Sequence, residues 1–195
     1  MKKPFDPIKM LRLCFSLTLG TAIFWSPPIL HAQTKPAEQK PVEAEPQSTS
    51  ATFGDWVMRC NRVETSGQIQ RLCEVAQTFL IQGQQAPVVE LAIGRSKKTD
   101  PLHVTVKLPV NVAFPSAPRV YLDGKDSEGL ELPWSRCLPN GCFADATPKE
   151  DVIRNWRAAR AAGRLETKDA LGRNVVVTIS FRGLSQALDA LNKEP

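Results

Sequence analysis

The chain has 195 residues, with 25 Lys or Arg against 20 Asp or Glu, five cysteines and two histidines. Four of the basic residues (Lys2, Lys3, Lys9 and Arg12) and the acidic Asp6 lie within the first 32 positions, and the remainder carries 21 basic and 19 acidic groups. So even a balance excludes the strongly basic surface of a nucleic-acid-binding domain.

The first 32 residues read as an address. A basic start precedes an apolar run of 13 residues from Leu13 to Trp25, Pro27-Pro28 ends it, and Leu30-His31-Ala32 offers a small-residue cleavage site before Gln33. A membrane span needs about 20 apolar residues, so the run predicts a secretory signal removed after Ala32 and no stable span afterwards. Cys14 sits too early in the run, after Leu11-Arg12-Leu13, to serve as a lipid-anchor site. Positions 33–50 hold Pro36, Pro41 and Pro46 among Lys, Glu, Gln, Ser and Thr. Such a segment buries too little apolar surface to offset its ordering entropy, and predicts a disordered tether.

The 145 residues from Ala51 to Pro195 suit a single domain with a core. Phe53-Gly54 turns the chain into Trp56-Val57-Met58-Arg59-Cys60, which alternates as a strand does. Cys73, Val75, Gln77, Phe79 and Ile81 form one face of the next strand, and Val88 to Arg95 predict another. Val104, Val106 and Leu108 alternate with His103, Thr105 and Lys107, the pattern of a half-buried antiparallel strand. Val120-Tyr121-Leu122 runs into an Asp123-Gly124 turn, and Leu130 to Trp134 leads to Cys137. The Asn140-Gly141 step before Cys142 is a tight-turn signal. Thr147, Pro148 and Glu150 predict a capped helix start, with Val152, Trp156, Ala159 and Gly163 as one apolar stripe. Val175, Val177, Ile179 and Phe181 make the clearest strand, and Leu184, Ala187, Leu188 and Leu191 a closing helix. Many strands, frequent turns and no strand–helix–strand alternation predict a mainly β domain, an antiparallel β-sandwich with one or two short covering helices.

Four cysteines remain after the leader, an even number that points to disulfides in an exported protein, with three connectivities open. The local pairs Cys60 with Cys73 and Cys137 with Cys142 each span a turn between strands and are expected. On the chain-entropy model they are worth about 3 and about 2 kcal/mol. A crossed pairing would close a longer loop, so loop entropy alone does not choose.

Catalytic patterns are sparse. His103 is the one histidine after the leader. A zinc site needs three or four ligands, no Gly-x-Ser-x-Gly elbow is present, and neither a phosphate loop nor a dinucleotide fingerprint occurs. No catalytic, metal or cofactor-binding residue is assigned. Candidate surface contacts are Asp55, beside Trp56, and Arg157, Arg160 and Arg164, expected along one flank of the first helix, where they would meet an acidic head group or polysaccharide. A solvated face for the arginines and a core position for Trp56 are the plainer expectations.

Taken together, Phe53-Gly54-Asp55-Trp56 with Cys60 and Cys73-Glu74, Leu108-Pro109-Val110-Asn111-Val112, Val120-Tyr121-Leu122-Asp123-Gly124, Cys137 with Gly141-Cys142, and Ser180-Phe181-Arg182-Gly183-Leu184-Ser185-Gln186-Ala187-Leu188 resemble the invasion-associated locus B family, from about Phe53 to Leu191. The resemblance implies an exported α-proteobacterial protein with a β-rich domain, in a family named for a role in host-cell invasion, and it supplies no catalytic residue. The expected function is a non-enzymatic binding or accessory protein of the bacterial envelope, periplasmic or secreted, whose partner is a protein or envelope component. The alternatives are a periplasmic hydrolase using His103 and a periplasmic chaperone whose sheet edge receives a client strand.

Overall fold

A computed structural model of the chain describes residues 46–80, 89–122 and 128–195. The leader, the tether up to residue 45, Ile81, Val88 and the Asp123-Gly124 turn lie outside the described residues. Seven strands build one antiparallel sheet: β1 (Ser48–Phe53), β2 (Trp56–Thr65), β3 (Gln68–Phe79), β4 (Val89–Gly94), β5 (His103–Leu108), β8 (Trp134–Leu138) and β9 (Gly141–Ala146), in the order β1-β2-β3-β4-β5-β9-β8. The smaller sheet holds β6 (Arg119–Tyr121), β7 (Leu130–Glu131), β10 (Gly163–Lys168) and β11 (Asn174–Ile179), in the order β11-β10-β6-β7. Two helices complete the domain, α1 (Glu150–Ala158) and α2 (Leu184–Leu191). β1 starts at Ser48, so the last three positions of the predicted tether are already strand.

Local chemistry sets the hairpins. Ser66 and Gly67 both take positive φ, 53° and 76°, between the paired Thr65 and Gln68, the backbone that a two-residue hairpin loop needs to match strand twist. The alternation of β5 is realised, with Val104, Val106 and Leu108 buried and His103 exposed. These side chains join Trp56, Val75, Leu91 and Ile93 from the large sheet and Val120, Leu165 and Ile179 from the small one in a common core. Each fully buried Val, Leu or Ile contributes about 1.5–3 kcal/mol over an exposed one. All four apolar residues predicted for α2 are buried, and α2 packs on β1, β2 and β3.

The start and end of α1 differ from expectation. Lys149, extended at ψ 153°, is the N-cap and has no side-chain cap bond. The predicted box fails because Glu150 is the first helical residue and cannot reach back a full turn; Thr147 Oγ1 lies instead 3.2 Å from His103 Nδ1. Gly163 belongs to β10, where a Cβ would collide with the Tyr121 carbonyl and the Phe181 ring. Its pairing opposite Ile179 overrides the helix propensity of the preceding alanines.

Candidate functional site

The motif at the opening of the domain and the motif near its end are one structure. Asp55 donates its backbone N–H to the Arg182 carbonyl at 3.1 Å. Its carboxylate accepts from the Ser180 hydroxyl at 2.6 Å and from Arg182 Nε at 3.0 Å, with Arg182 Nη2 on the second oxygen. The hydrogen bonds from Arg182 and then Ser180 hold the Asp55 carboxyl down at about 2. Trp56 is fully buried and donates Nε1–H to the Ser180 carbonyl at 2.8 Å. Gln77, nearly buried, completes the set: its amide donates to the carbonyls of Asp55 and Ser180, both at 3.2 Å, and its oxygen accepts the Ser180 N–H at 3.0 Å. Gly54 and Gly183, at φ 59° and 89°, let the two turns touch backbone to backbone. Asp55 and Trp56 therefore act as a latch between chain segments. Gln77 was the missed member; its signal was a carboxamide at an inward position of β3.

The two disulfides join Cys60 to Cys73 and Cys137 to Cys142, directly paired across β2–β3 and β8–β9. Cys60, Cys73 and Cys142 are buried, whereas Cys137 is exposed on the edge strand. Among the described residues, the grouping with ligand atoms close enough to share a metal ion is Cys60, Cys73 and Glu194. Both sulfurs are consumed in a disulfide and offer no thiolate.

The three candidate arginines do not share a helix flank. Arg157, in the last turn of α1, forms an ion pair with Asp189 of α2. Arg160 follows the helix in an exposed segment. Arg164 lies on β10, 2.6 Å from Glu166 and 4.4 Å above the Tyr121 ring. The Ala159 break sends the chain from helix to strand and separates them. Arg157 and Arg160 instead share a notch of about 440 Å³ with Arg182, Ser185 and Gln186. On the outer face of the large sheet, Arg59 reaches Glu74 at 2.7 Å and grips Glu90 with two nitrogens at 2.7 and 3.0 Å. The carboxylates of Glu90 and Glu74 raise its pKa further. The sequence reading missed this triad, because its members come from three strands. His103 borders an open depression of about 340 Å³ on the same face with Asn61, Leu72, Glu74 and Ser96. The small Ala92 side chain and the bare backbone of Gly94, also lining it, make the dip.

No described helix is long and apolar enough to cross a membrane. A search of curated proteins finds no match. Among solved structures, the crystal structure of invasion associated protein b from Bartonella henselae is similar at TM-score 0.61 and 18% identity, over 73% of this chain and 94% of that one. At that identity the likeness establishes the fold, a two-sheet antiparallel β domain. The family model described as invasion associated locus B protein matches residues 56–192, a span that takes in both disulfides, both helices and all but the first strand. The chain belongs to the invasion associated locus B family.

Proposed function

We propose that this chain is an exported, non-enzymatic accessory protein of the bacterial envelope, periplasmic or secreted, that works by surface contact with a protein or envelope component and contributes to host-cell invasion or interaction. Family membership supports the invasion-associated role. One observation carries the exported reading: two disulfides staple the domain, which suits an oxidising compartment, and they lie downstream of a leader with secretory character. The titratable groups most suggestive of chemistry hold structure. Asp55 is committed to Arg182 and Ser180, and Arg157 to Asp189. Arg160 shares a notch with Arg157 and Arg182, and a third guanidinium beside two that are paired with Asp189 and Asp55 suits an anionic partner group.

Protease accessibility on intact cells, with fractionation of periplasm and medium, tests location. Digestion from outside or recovery in the medium supports host contact; protection until the outer membrane is opened confines the role to the periplasm. Photo-crosslinking of the exported protein in its own envelope, or on host cells, tests binding. Failure to capture any specific partner in either setting would overturn the reading.

A further inference from the structure

At one end of the domain β3 outruns its neighbour. Pairing between β2 and β3 reaches Val57 opposite Ala76 and β2 begins at Trp56, so Thr78 and Phe79 have no strand partner on that side among the described residues. Their other side is taken by β4, with Thr78 opposite Glu90 and Phe79 opposite Val89. β11 is likewise an edge among the described residues, where β10 is its one strand partner. Both unpartnered edges border one slot of about 540 Å³, lined by Thr78–Leu80 and Val175–Thr178. Just past these residues Gln77 bridges the strands, its carboxamide bonded to both the N–H and the carbonyl of Ser180, as a neighbouring strand would be.

The other sheet edges look different. β8 is flanked by Pro133 and Pro139 and broken by a register shift between Trp134 and Arg136. β7 has two residues, and β1, though as free of proline and charge as β11, exposes Ser and Thr rather than large apolar side chains and has α2 packed against it. Natural sheets blunt their edges with prolines, charges, bulges or shortness, because a bare edge templates pairing with another chain. β11 has none of these: Asn174 to Ile179 contains no proline and no charge, and Val176 stands 58% exposed beside Leu80 at 65%.

We propose that this slot receives one extended, uncharged strand of another polypeptide, with apolar side chains at alternate positions, added along β11 by main-chain hydrogen bonds. Both walls are free of charge, so a charged side chain entering between them would shed water without gaining a counter-ion. A backbone edge on either side takes a single chain; the edge of a second copy would carry its own β10 behind it into the space bordered by β3. Four residues of β11 line the slot, enough for about 13 Å of extended peptide. The inference rests on the reading of the protein as a binding protein and names its partner class, an unpaired strand of a β-rich protein.

The test uses the full chain as exported and purified from its own cells, and as probe a fluorescent peptide of alternating Val and Thr, about eight residues long. Saturable binding is expected, with slowed hydrogen exchange at β11 amides. Methylating alternate peptide nitrogens, which removes main-chain donors and keeps the side chains, should weaken binding about tenfold or more. Val176→Lys should do the same with an unchanged melting temperature, and Thr178→Lys serves if Val176→Lys fails to fold. No saturation, or equal affinity of the methylated peptide or of the lysine variants, overturns the proposal. So does a wild-type chain that self-associates and is made monomeric by Val176→Lys, which would give the edge to a second copy. If wild type and Val176→Lys photo-crosslink the same envelope partner equally, the slot assignment falls while the binding-protein reading stands.

Discussion

The Gln77 carboxamide can be tested alone. It makes three hydrogen bonds, at 3.0, 3.2 and 3.2 Å, on a side chain only 6% exposed. Gln77→Met keeps the length and removes the bonds. The Ser180 carbonyl retains Trp56 Nε1–H, so the principal loss is an orphaned Ser180 N–H and a weakened Asp55 carbonyl. An unsatisfied buried group costs about 1–3 kcal/mol, and we expect about 2 kcal/mol for this variant. Gln77→Ala should lose about 1 kcal/mol more, for the void left by the missing side-chain atoms. At this size each kcal/mol moves the melting temperature by about 2–4 °C, so Gln77→Met should melt about 4–8 °C lower. Urea unfolding followed by far-UV circular dichroism gives the same quantity as a shifted midpoint with unchanged slope. A Gln77→Met variant within about 0.5 kcal/mol of wild type would refute the latch as a source of stability.

Further outcomes follow from the same contacts. The Asp55 carboxyl sits near 2 when folded against an ordinary 3.8, so the unfolded chain binds more protons between those values. Stability from this group is complete above about pH 4 and drains away as pH falls toward 2; urea midpoints from pH 2 to 7 should show Asp55→Asn lacking that slope, and parallel curves would remove Asp55 as its source. Gly183→Ala meets both a positive φ and the Phe53 carbonyl and should cost about 3 kcal/mol or more, whereas Gly67→Ala, at φ 76° in open space, should cost about 1 kcal/mol; equal losses on thermal melting would contradict the close approach. Under limiting reductant, mass spectrometry after alkylation should find Cys137 and Cys142 labelled before Cys60 and Cys73, because Cys137 alone of the four is exposed; the reverse order would refute control by access.

What could be read from the sequence was local in origin. Both disulfides flank short turns, so their pairing followed from hairpins with few alternatives, and the apolar positions of β5 and α2 carry clean periods of two and near four. The mainly antiparallel β architecture followed from the same patterns. Contacts set by tertiary pairing were not legible. The alanines around Arg160 favour helix in isolation, yet Gly163 is drawn into β10 by its fit beneath Tyr121 and Phe181, and with it Arg164 leaves the predicted flank. Gln77 and Ser180 lie 103 positions apart, beyond any window that periodicity can survey. Arg59, Glu74 and Glu90 are three unrelated positions until β2, β3 and β4 stand side by side. The slot between β3 and β11 is harder still to foresee, because it exists where two sheets fail to pair.

The latch also sets a timetable. Trp56 finds its hydrogen-bond acceptor 124 residues later, and Asp55 its guanidinium 127 residues later. A chain that emerges amino end first, from a ribosome or through a narrow export pore, holds the opening hairpin long before Ser180 and Arg182 arrive. Closing loops this long is slow, and such topologies fold late. Until Ser180 and the residues after it appear, the Trp56 indole lacks its acceptor, the Gln77 amide has only the Asp55 carbonyl, and α2 is not there to cover β2 and β3. The latch therefore locks only once α2 has emerged.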